Sequence, residues 1–131
     1  TERLLIENND AIISSLDKLR KLGINLQIDD FGRGFSSFSY LQHFPIDTLK
    51  IDSLFIQRIG QNPNNSEIIR SIVSLAKSLG LSVIAEGVET DGQFQELKNL
   101  ECHFVQGFYI SEAIRGNEAE KLIIENRKLL E

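Results

Sequence analysis

Ile24-Asn25-Leu26-Gln27-Ile28-Asp29-Asp30-Phe31-Gly32-Arg33-Gly34-Phe35-Ser36-Ser37 is the stretch on which the fold turns. Ile24, Leu26 and Ile28 alternate with Asn25 and Gln27, the two-residue period of a strand, and the run delivers two adjacent carboxylates into a glycine-punctuated loop. Asp and Gly are ordinary strand-end residues, so a solvated turn explains the stretch taken alone. Two neighbouring acids repel, however, and lose solvation when partly buried, so a cation or a dense set of hydrogen-bond donors is expected beside them.

Working outward, the same alternation of helix and strand recurs. Upstream, Ile12, Ile13, Leu16 and Leu19 fall at helical spacing after possible caps at Glu7, Asn8, Asn9 and Asp10, and Gly23 stops the helix. Leu4, Leu5 and Ile6 before it read as the last piece of a strand or the start of that helix. Downstream, residues 36–41 predict a short helix, residues 48–52 a second strand and residues 53–59 another helix. Asn64 and Glu67 stand at capping-box spacing ahead of Ile68, Ile69, Ile72, Val73, Leu75, Ala76 and Leu79, a strongly amphipathic helix closed by Gly80. Residues 81–85 predict a third strand, followed by the acids Glu86 and Glu89. Thr90 and Gln93 form a second capping box leading into a helix through Phe94 and Leu97. Residues 102–105 predict a fourth strand, ending at Gln106-Gly107, and a last helix starts near Asn117.

Apolar strands that alternate with helices predict an α/β fold with parallel strands. Doubly wound sheets and (β/α) barrels both place their sites at the carboxyl ends of such strands, and periodicity does not separate the two. A complete eight-unit barrel takes about 250 residues, so 131 residues would supply about half of one.

Composition narrows the class. The chain has one domain's length and 41% apolar residues, enough for a core. Its formal charge of −5, from 19 acidic and 14 basic residues with no dense Lys/Arg block, argues against a DNA or RNA duplex as partner. An anionic ligand would then need a metal. The single cysteine, Cys102, makes no internal disulfide and reads as a core residue in a reducing compartment. No apolar run reaches the roughly 18 residues of a membrane span. The expected location is cytoplasmic.

Four successive strand ends offer Asp29 and Asp30, then Lys50 and Asp52, then Glu86 and Glu89, then Gln106. Singly each has a plain structural explanation: a solvated rim lysine, an amide capping a loop, a charge that favours a helix N-terminus. A parallel array would bring all four ends to one rim. Carboxylates without a paired His or Cys favour a hard cation such as Mg²⁺ or Mn²⁺ over zinc. Two such ions about 4 Å apart suit the in-line attack of water on a phosphodiester, with a Lys to hold the water and a Glu to take its proton.

Asp29-Asp30-Phe31-Gly32-Arg33-Gly34-Phe35-Ser36-Ser37, Leu49-Lys50-Ile51-Asp52, Ala85-Glu86-Gly87-Val88-Glu89-Thr90 and Gln106-Gly107-Phe108-Tyr109, in that order, closely resemble the EAL domain family of cyclic di-GMP phosphodiesterases. The resemblance implies the C-terminal half of a (β/α)₈ TIM-type barrel with parallel strands, and two Mg²⁺ or Mn²⁺ ions that serve to open cyclic di-GMP to linear pGpG. It implies that Asp29 and Asp30 bind metal, that Lys50 positions the nucleophilic water and that Glu86 is the general base or a metal-site partner. Gln106 matches a rim glutamine and Glu89 a second-tier glutamate, with Asp52 beside them. Residues Phe31, Gly32, Arg33, Gly34, Phe35, Ser36 and Ser37 match a mobile regulatory loop, and Glu2 a glutamate that anchors it. Arg33 stands where the family commonly has Thr, Phe35 where it has Tyr, and Glu112-Ala113 where it has prolines.

By the same resemblance the signature Glu-Ala-Leu strand and the remaining metal ligands would lie upstream of Thr1. The two-metal site is then incomplete in these 131 residues, which by themselves are expected to be inactive. Other expectations are a homodimer or other self-association, since a half-barrel leaves sheet edges open, and GGDEF or sensory domains in the parent, with a membrane tether possible through them. The rival reading is a degenerate EAL domain that acts as a cyclic di-GMP receptor or protein-interaction module without hydrolysis.

Overall fold

The computed structural model describes residues 10–33, 38–61 and 63–127. Glu2, the Leu4-Leu5-Ile6 run and loop residues 34–37 lie outside them. The elements in chain order are α1 (Asp10–Lys21), β1 (Gln27–Phe31), α2 (Phe38–His43), β2 (Thr48–Ile51), α3 (Ser53–Gln57), α4 (Pro63–Ser78), β3 (Ser82–Glu86), α5 (Asp91–Asn99), β4 (Phe104–Gln106) and α6 (Gly116–Arg127).

The four strands form one parallel sheet in the order β1-β2-β3-β4. A doubly wound sheet reverses its order and carries helices on both faces. Here the order never reverses, and among the described residues one face alone is covered. Ile28, Leu49, Ile51, Val83 and Ala85 point to that face and are at most 3% exposed. They pack with Leu41, Phe44, Ile56, Ile69, Val73, Ala76, Leu97 and Leu100 from the connecting segments. On the other face Lys50 and Ile84 pair in register, as do Glu86 and Gln106, and Phe104 is 57% exposed. A singly wound arc with its second face open is the geometry of part of a barrel wall.

Two helices hand over to strands by the same device. In α4 the buried residues Ile69, Ile72, Val73 and Ala76 repeat at i, i+3, i+4 and i+7, one stripe of a helix. Two residues past the end of the helix stands Gly80, which has φ 71°, and Leu81 N donates back to Ala76 O at 2.9 Å. At the end of α1, Gly23 has φ 82° and Ile24 N donates to Leu19 O at 3.3 Å. A left-handed glycine reverses the chain in both places, and the next strand begins within four residues.

Several expected boundaries shift. Strand β1 begins at Gln27, not Ile24, and runs to Phe31, so Asp29 and Asp30 lie inside the strand instead of beyond its end. Strand β2 stops at Ile51, because Asp52 turns its carboxylate onto Leu54 N at 2.8 Å and caps α3. Helix α4 starts at Pro63, a residue suited to the first helical position, which puts Asn64 inside the first turn instead of at the cap. The box at Thr90 and Gln93 is present as expected, with both reciprocal hydrogen bonds.

Candidate functional site

The site grows out of an irregularity in β1. Ile28 pairs with Leu49 and Phe31 with Ile51, so three steps along β1 match two along β2. That extra residue is a β-bulge, and Asp30 takes φ 56° to make it. In a regular strand adjacent side chains point to opposite faces, and one of the two acids would enter the helix-packed core. The bulge returns Phe31, 2% exposed, to the core and leaves both acids outside it. One carboxylate oxygen each from Asp29, Asp30 and Glu86 lies within 4.8 Å of the others.

Lys50 joins this cluster from the adjacent strand. Its ammonium donates to Asp29 Oδ1 at 3.1 Å and to Glu86 Oε1. Lys50 and Glu86 are less than a fifth exposed, whereas Asp29 is half exposed. The hydrogen bond from Lys50 holds the Asp29 carboxyl below its usual value, against the effect of burial. Burial by itself would lower the Lys50 ammonium, but the Glu86 and Asp29 carboxylates outweigh it and push it above its usual value. Three carboxylates facing one ammonium leave the cluster with excess negative charge. An all-oxygen donor set of this kind fits a hard divalent cation.

These directions fix a pH dependence for the metal-free protein. The lowered Asp29 contributes stability above its unfolded value near 3.8, and that contribution is lost as pH falls through the still lower folded value. The raised Lys50 contributes stability below 10.5, lost as pH rises through the higher folded value. With Asp29 half in solvent, the Asp29–Lys50 pair is worth roughly 0.2–1 kcal/mol. Melting curves of wild type and Lys50→Met in EDTA should therefore differ by a near-constant amount from pH 6 to 9, and the Asp29 part of the difference should fade as pH falls below 3.8. A difference that instead grows on acidification contradicts the assignment.

Of the remaining residues singled out in the sequence, Gln106, Glu89 and Asp52 have no side-chain hydrogen bond or ion pair with this cluster among the described residues. Gln106 is the register partner of Glu86 on the open face and is exposed, with no side-chain hydrogen bond among the described residues. Glu89 is exposed, and its backbone N–H belongs to the α5 capping arrangement through Gln93 Oε1 at 2.8 Å. Asp52 is 3% exposed and faces Arg33, whose Nε lies 3.3 Å from Asp52 Oδ2. Gly32 packs against the ring of Phe55. Burial pushes the Cys102 thiol up, away from nucleophilic thiolate chemistry.

Two features at this rim had no sequence signal. The Arg33–Asp52 pair joins residues 19 positions apart, outside any local spacing rule. Tyr109 stacks on Phe94 with ring centroids 5.2 Å apart and donates its hydroxyl to Asp91 Oδ1 at 2.7 Å, which ties the segment after β4 to α5.

Comparison with known proteins agrees with this layout. The family model of the EAL domain matches residues 1–113. A cyclic di-GMP phosphodiesterase of Pseudomonas aeruginosa, NbdA, is 45% identical over 111 residues, which are 85% of this chain and 14% of that protein. The crystal structure of the EAL domain of Mycobacterium smegmatis DcpA superposes with a TM-score of 0.83 at 39% identity, covering 88% of this chain and 52% of that one. A manganese and cyclic di-GMP complex of Klebsiella pneumoniae BlrP1 gives a TM-score of 0.67 at 37% identity, covering 72% of this chain and 24% of that one. The chain spans a fifth or less of the length of the curated relatives it matches.

Proposed function

The chain belongs to the EAL domain family, and we propose that it is the C-terminal half of one such barrel in a longer protein that hydrolyses cyclic di-GMP to linear pGpG. The observation that carries this reading is the Lys50 ammonium seated between Asp29 and Glu86, with Asp30 brought onto the same face by the bulge. A divalent-metal requirement is supported by the all-oxygen donor set and by the manganese in the BlrP1 complex.

Asp29 and Asp30 would hold the metal pair from one side, with Glu86 beside them and the remaining ligands supplied by the upstream half. When bound, Mg²⁺ or Mn²⁺ would neutralise phosphate charge and make water more acidic. Lys50 holds the attacking water and the charge that develops on the phosphoryl oxygens. The water oxygen bonds to phosphorus, its proton passes to the Glu86 carboxylate, and the bond from phosphorus to the ribose 3′ oxygen breaks. That oxygen takes up a proton from solvent and leaves as a hydroxyl, and Glu86 returns its proton to solvent, giving pGpG. Gln106, beside Glu86 on the open face, borders the ligand, whereas Glu89 and Asp52 support the rim from outside the cluster.

These 131 residues alone should not turn over cyclic di-GMP, because they carry one side of the site. The edges of β1 and β4, which are open among the described residues, would be covered by the upstream half or, in the isolated chain, by self-association. Incubation of the full-length protein with cyclic di-GMP and Mn²⁺, followed by nucleotide chromatography, tests the reading. Accumulating pGpG is the expected result. Tight binding without turnover would favour a receptor instead.

A further inference from the structure

We propose that Arg33 is a positioning residue for the Asp29–Asp30 pair and acts through its ion pair with the buried Asp52. The inference rests on the metal-dependent reading of the site. It starts from a backbone that needs support: Asp30 is held at φ 56°, and a residue with a side chain in the left-handed region costs about 1 kcal/mol or more. The turn that follows closes through Arg33 N donating to Asp30 O at 3.3 Å.

The junction of β2 and α3 supplies three contacts that fasten this turn. Asp52 N donates to Phe31 O at 3.4 Å. The Phe55 ring fills the place of a side chain at Gly32, where a Cβ would come within 2.6 Å of Phe55 Cε2. The Arg33 side chain reaches Asp52 Oδ2 at 3.3 Å. Asp52 makes a firm anchor because it is 3% exposed and its other oxygen is fixed by Leu54 N. The Arg33 side chain is 58% exposed, so this pair is what ties it down among the described residues. Arg33 has no hydrogen bond or ion pair with Asp29, Lys50 or Glu86 among them, and its influence passes through the backbone at Asp30.

The sign of the effect separates positioning from charge. Removing a cation near a metal site should tighten metal binding by simple electrostatics. Releasing the turn should loosen it, because Asp29 and Asp30 then spend less time on the same face. For the full-length protein, Mn²⁺ binding followed by the electron paramagnetic resonance signal of free Mn²⁺ should weaken about tenfold in Arg33→Ala. KM for cyclic di-GMP at saturating Mn²⁺ should stay within about twofold of wild type. Arg33→Lys should recover part of the loss, and Asp52→Asn, which keeps an oxygen for the α3 cap, should weaken Mn²⁺ as Arg33→Ala does. If melting shows that Arg33→Ala does not fold, the Arg33→Lys and Asp52→Asn isotherms decide. Unchanged or tighter Mn²⁺ binding in these variants overturns the proposal, as does a raised KM with unchanged Mn²⁺ binding, which would make Arg33 a ligand contact. A wild-type protein that binds no Mn²⁺ overturns the metal-dependent reading itself, and this proposal with it.

Discussion

Asp29→Asn in the full-length protein is expected to lower turnover of cyclic di-GMP by about a thousandfold or more. The substitution keeps the side chain's size and its place on the strand but removes one of the charges that gather at the bulge. It also removes a carboxylate that pairs with Lys50 at 3.1 Å. Lys50→Met is expected to lower kcat by about 10²- to 10³-fold for a different reason, because in the proposed mechanism the ammonium acts on the water and the phosphoryl oxygens. The two variants should separate on titration with Mn²⁺. Excess Mn²⁺ should recover part of the activity of Asp29→Asn and none of that of Lys50→Met. Identical responses to Mn²⁺ would show that the two residues do not divide the work as described.

The largest loss of stability is expected at a glycine that makes no contact with the acidic cluster itself. A Cβ on Gly107 would sit 2.1 Å from Val88 O and 2.3 Å from Val88 N. Val88 cannot retreat, because it is 0% exposed and its N–H and carbonyl are engaged by Gln106 O and Tyr109 N at 3.1 and 2.9 Å. Those bonds continue the pairing of β3 with β4 beyond the regular strands. Gly107→Ala must therefore break the pairing or displace a packed core residue, at a cost of about 3 kcal/mol. For a domain of barrel size this lowers the melting temperature by roughly 6–12 °C. Gly116→Ala, where a Cβ meets nothing within 4 Å, is the control and should leave the melting temperature unchanged or slightly raised. Equal melting of the two variants would mean that the Val88–Gly107 contact is not present.

The fold was legible because its signals are local and strong. The stripe in α4, the box at Thr90 and Gln93 and the glycines at 23 and 80 each follow from chemistry within a few residues. Alternation of helix and strand then gives a parallel sheet. The choice between a doubly wound sheet and a barrel wall was not available from periodicity, because strand order is a property of long-range pairing. The acids were visible at once, but how two neighbours share a face was not. That depends on a one-residue slip of β1 against β2, which leaves no mark in the composition of either strand. Asp52 shows the same limit: the sequence places it near a strand end, whereas burial and an arginine 19 residues upstream decide what it does.

In the proposed mechanism, water held by Lys50 beside Asp29, Asp30 and Glu86 attacks the phosphodiester in the complete protein. This step is tested most directly by turnover of cyclic di-GMP in ¹⁸O-labelled water with Mn²⁺, with mass spectrometry of the product. The expected product is pGpG carrying one ¹⁸O on its terminal phosphate, formed by wild type and lost in Lys50→Met. Label on the ribose oxygen, or unaltered cyclic di-GMP recovered from wild-type protein, would contradict the mechanism.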